Sequence, residues 1–319
     1  MELIPIAEES LGVRSMAMFI RTKDLSILLD PGISLSPNRY GLPPHPPREL
    51  ERVKALRGGI LEKYAEEAKY VFISHYHRDH FTVPYPSIYM YTTSESYRKV
   101  YNDKVILMKS PEDENWSQKR RYYGLRQAVD GIAKDLVLAD GKEFTMGSTR
   151  LVTSRSLPHG EDNAKTGKVI AITVIDGGDE SLTFMPDVEG PVSQLAIDYI
   201  MAMKPQTLVV GGPPIYLARR GGFGEEYLGT ALRSLTTIVR AGFLNKLVIA
   251  HHTLRDLNWR NTLRVLFEEA DRQGISIMTY ARLLNREDEL LEAMRKELYA
   301  REPPPKDYLK QFRSTEDEA

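Results

Sequence analysis

The most informative absence in this sequence is cysteine, of which the 319 residues contain none. A chain without cysteine forms no disulfide bond and offers no thiolate to a metal ion, so any metal site must use nitrogen and oxygen ligands. Such ligands suit zinc, iron and manganese alike. The absence of cysteine therefore restricts the kind of metal site and leaves the metal open.

An excess of charge of either sign is also absent, because 43 Lys and Arg residues balance 44 Asp and Glu residues to a net charge of -1. No global basic field draws the chain to nucleic acid or to an anionic membrane, so any binding of a polyanion must be local. No apolar run approaches the ~20 residues of a membrane span, and the first residues lack the pattern of a signal peptide. We expect a cytoplasmic protein that does not bind membranes.

Length and composition are those of an ordinary globular protein, with 42% hydrophobic and 27% charged residues. The simplest division is one large domain at residues 1–300 followed by a polar tail at residues 301–319. The tail has three prolines in a row near its start, at 303–305, and is expected to pack loosely. Nothing in the sequence sets the oligomeric state.

Three of the seven histidines, together with an aspartate, fall within one short run, His75-Tyr76-His77-Arg78-Asp79-His80. The run follows an apolar stretch at residues 70–73. Residues two apart in an extended chain point to the same side, so His75 and His77 can bind one ion while Asp79 and His80 reach a second. Several imidazoles and a carboxylate crowded after a hydrophobic strand are hard to explain structurally. The run therefore predicts about half of a two-metal centre.

Further residues of metal-binding type stand at the ends of other predicted strands. In chain order they are Asp30, His159, Asp187 and the pair His251 and His252. Taken alone, each has an ordinary explanation, since a histidine at a strand end is usually just hydrogen-bonded and an aspartate before a turn is common turn chemistry. Together with the run at residues 75–80, they favour a metal site built at strand ends.

Apolar and alternating runs predict strands near residues 2–6, 16–22, 25–30, 70–73, 150–157, 168–175, 181–186, 207–211 and 246–250. Helical patterns are predicted near residues 48–69, 192–203, 225–241 and 258–273. A proline-rich loop at residues 41–47 contains His45, which we interpret as a loop residue rather than a ligand. Strands interleaved with helices predict an α/β fold.

On these residues the chain resembles the metallo-β-lactamase-fold hydrolases, and more narrowly an archaeal branch known only as predicted hydrolases. The HxHxDH pattern of that superfamily is met at His75, His77, Asp79 and His80. The resemblance spans residues 1–300 and implies a four-layer αββα sandwich. It also implies a hydrolase that activates a water with two divalent metal ions, zinc first among them and iron or manganese as alternatives.

The superfamily pattern implies a role for each candidate residue. The first metal would be bound by His75, His77 and His159, the second by Asp79, His80 and a late histidine, and Asp187 would bridge the two. We favour His251 as the late histidine because residues 251–255 are similar to a motif of the transfer-RNA-processing branch, and His252 is the alternative. Asp79 would orient the water or accept its proton, and Asp30 would orient the site.

One local feature departs from the superfamily. Pro84 and Pro86 follow the run at residues 75–80 closely, where many relatives begin a helix. Proline is tolerated only in the first turn of a helix. Any helix after the run is therefore expected to be displaced or very short.

Two segments bear on the substrate. Arg219 and Arg220 lie in a glycine-rich loop that could approach an anion, which favours a phosphodiester, either a small molecule or nucleic acid. Residues 116–126 mix basic and aromatic side chains, as single-stranded nucleic-acid surfaces do. For residues 116–126 we favour a solvated helix face whose aromatics pack inward.

Other functions remain open at this point. The substrate could instead be a thioester or a lactone, and the chain could bind metal without catalysis. A redox di-iron enzyme on the same fold usually has a carboxylate in place of the second histidine of the motif. His77 argues against that class.

Overall fold

Two β-sheets pack face to face at the centre of the protein, of which a computed structural model describes residues 1–178, 180–218, 223–305 and 307–308. The rings of Phe72 and Phe184, one from each sheet, meet edge to face with their centroids 6.5 Å apart. Buried apolar residues of both sheets belong to a single core cluster. Burial of apolar area stabilises a fold by roughly 25 cal/mol per Å², so this shared core holds the two sheets together.

The first sheet has six strands that lie side by side in chain order, β1 (Glu2–Glu8), β2 (Met16–Arg21), β3 (Ser26–Leu29), β4 (Tyr70–Ile73), β5 (Val105–Met108) and β6 (Asp135–Leu138). Strands β1 to β3 are antiparallel and joined by short connections. Strands β3 to β6 are parallel, which requires longer crossover connections. The connection after β4 begins with the histidine run.

The remaining strands are β7 (Glu143–Met146), β8 (Thr149–Thr153), β9 (Leu157–Pro158), β10 (Lys168–Val169), β11 (Ile172–Asp176), β12 (Glu180–Met185), β13 (Thr207–Gly211), β14 (Lys246–Ala250) and β15 (Ser276–Met278). Strands β9 and β10 pair with each other, and the others form the second sheet in the order β15-β14-β13-β12-β11-β8-β7. Strands β12 to β15 are parallel to one another, whereas the pairs β7–β8, β8–β11 and β11–β12 are antiparallel.

Helices cover the outer face of each sheet. In chain order the helical segments are Glu9–Leu11, Pro46–Leu50, Glu51–Ala55, Leu56–Leu61, Glu62–Glu67, Ser96–Tyr101, Trp116–Val129, Gln194–Met203, Ile215–Ala218, Phe223–Arg240, His251–Arg255, Trp259–Thr262, Arg264–Gln273, Tyr280–Leu283 and Arg295–Arg301. Val53 and Leu125 pack in the core of the first sheet, whereas Ile200 and Leu235 pack against the second. The predicted four-layer αββα sandwich is confirmed.

The parallel strands of both sheets end at the same edge of the sandwich. Asp30 follows β3 and the run at residues 75–80 follows β4, while Asp187 follows β12 and His251 follows β14. Because neighbouring parallel strands place their carboxyl ends together, residues far apart in the sequence meet at this edge. The candidate ligands therefore gather where the two sheets open.

The differences from the predicted elements concern short segments. Strands β5, β6, β7 and β15 were not predicted, because a segment of three or four residues is too short for its pattern to separate a strand from a helix. The strand predicted at residues 150–157 divides into β8 and β9. After the run at residues 75–80 the next helix among the described residues begins at Ser96, so the effect predicted from Pro84 and Pro86 is confirmed. Within the described ranges no helix is long and apolar enough to span a bilayer.

The proline-rich loop and the start of the C-terminal tail hold each other in place. The Nε2 atom of His45 lies 2.8 Å from the carbonyl oxygen of Glu302, and the hydroxyl of Tyr308 donates to the carbonyl oxygen of Pro44 at 2.8 Å. Tyr308 is buried. The tail is thus attached at this point rather than loose, while residues 309–319 lie outside the described residues.

Candidate metal centre

The backbone turns sharply where the candidate ligands leave their strands. Asp30, Asp187 and His251 have φ angles of +41°, +51° and +64°, and Glu189 near by has +51°. A residue other than glycine in this left-handed region costs of order 1 to 3 kcal/mol and persists only where the surroundings enforce it. Such residues cluster at functional sites, and here they place carboxylates and an imidazole at one edge of the sandwich.

Glycine at position 32 lets two chain segments approach each other at this edge. A Cβ atom on Gly32 would lie 2.3 Å from the backbone nitrogen of Phe81 and 2.4 Å from that of His80. Real Cβ atoms do not come so close to backbone atoms, so any larger residue would push residues 79–81 away. Gly32 therefore sets how closely the histidine run packs beside Asp30.

Three imidazoles and one carboxylate form the first candidate ligand set. The Nδ1 atom of His77 lies 3.0 Å from His75 Nε2 and 3.2 Å from His159 Nε2. The Oδ2 atom of Asp187 lies 2.9 Å from His159 Nε2 and 3.2 Å from His75 Nε2. Nitrogen lone pairs that face each other at these distances repel unless a cation or proton lies between them. The four residues thus form a donor set suited to a divalent ion.

The second candidate ligand set is Asp79, His80 and His251, with Asp187 beside it. The Nε2 atom of His251 lies 3.4 Å from Asp79 Oδ2 and 3.3 Å from Asp187 Oδ1. His80 Nε2 and Asp187 Oδ1 are buried and have no hydrogen-bond partner among the described residues. Leaving buried polar atoms unpaired is costly, and a metal ion would satisfy both. The residues present therefore fit a second ion.

Asp30 fixes one imidazole of each set. It accepts a hydrogen bond from His80 Nδ1 at 2.8 Å and another from the Ser74 hydroxyl at 2.5 Å. Because that hydroxyl has given its only proton to Asp30, it must accept from His75 Nδ1, which is 2.9 Å away. Both imidazoles therefore carry their proton on Nδ1 and leave the Nε2 lone pair for a ligand bond. This geometry agrees with the orienting role predicted for Asp30.

Carboxylates that the sequence did not single out orient the other histidines. Glu9 Oε2 lies 3.0 Å from His251 Nδ1, and Glu189 Oε1 lies 3.4 Å from His159 Nδ1. In each case the carboxylate favours a proton on Nδ1 and leaves Nε2 free to bind. Glu9 and His251 are 242 residues apart, so no local pattern reveals the pair. For Glu189 the sequence offers one weak indication of a role at the site, which is its position two residues after Asp187.

The geometry favours His251 over His252 as the late ligand. His251 points Nε2 between Asp79 and Asp187, whereas His252 Nδ1 lies 3.8 Å from Glu189 Oε1 and faces the cavity from the side of His159. The two rings lie 4.5 Å apart. The assignment of His251 stays a prediction with this support.

The electrostatics of the site favour cations. Burial lowers the pKa of His159, but the carboxylates of Asp187 and Glu189 outweigh it and raise the pKa to about 10. Burial opposes the charged form of His80 in the same way, yet Asp187 and Asp30 raise its pKa well above the usual value. Burial raises the pKa of Asp79, but His80, His251 and Arg255 together lower it far more. The carboxylates therefore place a negative potential at His159 and His80, which a metal ion would relieve, whereas burial lowers the pKa of His75 and His77.

A cavity of about 440 Å³ opens above both ligand sets. His77, Asp79, His159 and Asp187 lie in its wall, and it also contains four arginines, Arg14, Arg78, Arg121 and Arg255. This volume lies within the ~300 to 1,000 Å³ of typical small-ligand sites. Arg219 and Arg220, predicted to bind substrate, lie outside the described residues.

Comparison with known proteins gives the family. The chain is 52% identical over 303 residues to the UPF0282 protein of Pyrobaculum arsenaticum, covering 95% of each chain. It is 40% identical over 311 residues to the UPF0282 protein of Metallosphaera sedula, covering 96% of this chain and 94% of that one. The chain belongs to the UPF0282 family. No family model matches it. The name of the UPF0282 family states no activity, so the activity has to be argued from the site.

Solved structures similar to this UPF0282 protein are far more distant in sequence. The diiron β-hydroxylase CmlA from Streptomyces venezuelae is 13% identical with a TM-score of 0.49, covering 87% of this chain and 52% of that one. A metallo-β-lactamase from Cronobacter sakazakii is 12% identical with a TM-score of 0.36, covering 95% of this chain and 96% of that one.

We expect the purified UPF0282 protein to bind two divalent ions per chain and to lose them in two steps. Arg255 Nη2 lies 3.1 Å from His251 Nε2, so the arginine competes for the lone pair that the second ion needs. The first set has no such competitor in its described contacts. Elemental analysis after metal repletion should give two ions, and brief dialysis against a chelator should leave one. No metal after repletion would contradict the prediction.

The two late histidines make a matched pair of variants. His251→Ala is expected to remove one ion, because it deletes the nitrogen between Asp79 and Asp187. His252→Ala is expected to keep both ions, since His252 lies near Asp187 and His251 but it is His251 whose Nε2 atom faces both Asp79 and Asp187. Metal content of the two repleted variants checks this. The reverse result would assign the ligand role to His252.

Proposed function

We propose that this protein is a metal-dependent hydrolase whose substrate is a phosphodiester. The observation that carries the proposal is the position of Arg78 and Arg121 in the wall of the cavity that also contains Asp79 and Asp187. Guanidinium groups bind phosphate through paired hydrogen bonds, and the ligand sets beside them suit metal-assisted hydrolysis. One cavity therefore combines arginines that can bind a phosphate with candidate metal ligands that can support hydrolysis of its ester bond.

Two of the four arginines of the cavity are paired with carboxylates, and a third binds a backbone carbonyl. Arg14 forms two hydrogen bonds with Glu292, at 2.6 and 2.7 Å, and Arg255 Nε donates to Glu9 at 2.8 Å. Arg121 instead donates to the backbone carbonyl of Tyr76 at 3.2 Å.

Burial lowers the pKa of Arg121 and the charge of Arg78 lowers it further, while Tyr85 and Asp79 offset part of this. Two guanidinium groups that repel each other in a partly buried wall would be stabilised by an anion placed between them. A phosphate group supplies that anion, and its oxygens match the donors of both side chains. This pair therefore favours a phosphodiester over an uncharged lactone.

In the proposed mechanism each residue of the site has a distinct task. When bound, divalent ions would lower the pKa of an attacking water and supply positive charge to the substrate oxygen. Asp79 would accept a hydrogen bond from the water and either orient it or take its proton. Arg78 and Arg121 would bind the phosphate oxygens, and Asp30, Glu9 and Glu189 would hold the imidazoles in orientation. Zinc is the first candidate for the metal, with iron or manganese as alternatives.

A panel of substrates tests the proposal. The repleted protein is assayed on phosphodiester, thioester, lactone and β-lactam substrates, with zinc, manganese and iron supplied separately. We expect turnover of the phosphodiester and no comparable turnover of the others. Turnover of the thioester or lactone alone would support the alternative hydrolase classes instead. Bound metal without turnover of any substrate would favour a non-catalytic metal-binding protein.

A further inference from the structure

The helix Trp116–Val129 exposes aromatic side chains that the sequence pattern predicted to pack inward. Only one of its three aromatics does so, since Tyr122 is buried whereas Trp116 is 72% and Tyr123 56% exposed. Exposure of such large apolar rings to water is unfavourable, so covering them would stabilise the protein. The inward packing is therefore wrong for Trp116 and Tyr123, and the exposed face of this helix needs another explanation.

The same helix carries an unbalanced charge. Its fourteen residues include Lys119, Arg120, Arg121 and Arg126 and no acidic residue, although the whole chain has a net charge of -1. The side chain of Arg120 lies over the ring of Trp116, with 5.4 Å from the guanidinium carbon to the ring centroid. Of the acidic residues next to the helix, Asp113 is paired with Lys109 and Glu114 is buried, while Glu112 before it and Asp130 after it are exposed at its two ends. A local basic surface thus surrounds the two exposed rings.

The inner face of the helix holds the histidine run. The backbone N–H of Tyr76 donates to Gln118 Oε1 at 2.7 Å, and Arg121 Nη1 donates to the carbonyl oxygen of Tyr76 at 3.2 Å. Tyr76 also packs against Tyr122, with ring centroids 5.4 Å apart. Since Arg121 lines the cavity, one short helix connects the exposed basic and aromatic surface to the candidate metal centre.

We infer that the outer face of this helix, formed by Trp116, Arg120 and Tyr123, binds a single strand of nucleic acid whose scissile phosphate enters the cavity. The inference rests on the proposed phosphodiester hydrolysis and names its substrate class. Unstacked bases stack on exposed aromatic rings, and arginines beside the rings bind the backbone phosphates. In a duplex the bases stack on each other and offer no free face to Trp116 or Tyr123. A single strand therefore fits this surface and a duplex does not.

Binding is measured apart from hydrolysis. A labelled single-stranded oligouridylate, its duplex with oligoadenylate, and uridine monophosphate are titrated with the full-length protein, and fluorescence anisotropy or competition gives the affinities. The fluorescence of Trp116 also reports binding directly. The second tryptophan, Trp259, is buried, so a base stacked on Trp116 should quench the exposed ring alone. We expect tight binding of the single strand, with quenching, and much weaker binding of the duplex.

Variants separate stacking from charge. Trp116→Ala and Tyr123→Ala are each expected to weaken binding of the single strand by roughly 5- to 150-fold, the equivalent of the usual 1 to 3 kcal/mol per stacked base. Tyr123→Phe keeps the ring and is expected to keep most of the affinity. Arg120→Ala should reduce the slope of log affinity against log salt by about 0.7. Arg264→Ala, an exposed arginine outside the cavity, is the matched control and should change nothing.

The outcomes distinguish this inference from the proposed hydrolysis. Equal affinity of wild type, Trp116→Ala and Tyr123→Ala for the single strand overturns the inference, whatever the hydrolysis assay gives. Preference for the duplex or for uridine monophosphate overturns it as well. Strand binding that depends on both rings in a protein that hydrolyses no phosphodiester supports the binding surface and contradicts the proposed hydrolysis.

Discussion

Replacement of Asp79 by alanine is expected to lower phosphodiester turnover by roughly 10²- to 10⁴-fold, the usual effect of losing a general base, with a further loss if the second ion leaves. Asp79 lies in the wall of the cavity, and its Oδ2 atom is 3.4 Å from His251 Nε2. The first ion is expected to stay, because its set is formed by other residues. The variant should therefore lose turnover and at most one of the two ions.

Steady-state turnover and elemental analysis of the same preparation check this result. Asp198→Asn is a suitable control, since Asp198 is an exposed carboxylate on the helix Gln194–Met203, and both ions and turnover should be unchanged. An Asp79→Ala variant that retained near wild-type turnover would refute the role of Asp79. The remaining explanation would be a mechanism with one metal.

The largest expected effect on stability comes from Arg295. This side chain and Glu49 are fully buried, and two hydrogen bonds of 2.6 and 2.8 Å join them. Arg295 also donates to the carbonyl oxygens of Ser36 and Leu42, both at 3.0 Å. Removing one partner of a buried ion pair leaves the other charge unpaired and typically costs about 3 to 5 kcal/mol. Arg295→Met should lower the free energy of unfolding by this amount.

Urea unfolding of three variants tests whether the unpaired charge of Glu49, rather than the lost Arg295 side chain itself, causes the destabilisation. The double variant Glu49→Met with Arg295→Met removes both charges and is expected to be more stable than Arg295→Met alone. Arg264→Ala breaks an exposed pair with Glu268 and should cost less than about 1 kcal/mol. A double variant no more stable than the single one would show that the unpaired carboxylate is not the cause.

Sequence reasoning succeeded where the signal was local. The apolar run at residues 70–73 and the histidines that follow it are adjacent in the chain, so their strand and their shared site could be predicted together. Residues 105–108 form a strand of the same length, but no functional residue follows it and the run has no period that separates strand from helix. Long amphipathic helices such as Phe223–Arg240 were predicted to within a few residues.

Apart from Asp30, the residues that orient the candidate ligands could not be predicted, because folding alone brings them to the site. In the sequence Ser74 is simply the residue after a predicted strand. Only the structure shows that its hydroxyl connects Asp30 to His75. The exposure of Trp116 and Tyr123 was missed for a related reason. Side-chain burial depends on which helix face meets the sheet, and a helix with aromatics on two faces leaves this undecided.

The hydrogen bonds of Asp30 have a consequence for how metal preference can evolve. One carboxylate holds His80 directly and His75 through Ser74, so it sets the imidazole orientation at both ion positions. A mutation at Asp30 that suited a different metal at one position would disturb the other position too. Divergence of metal preference within the family is therefore expected at residues that touch one ligand set alone, such as Glu189 beside His159 or Glu9 beside His251.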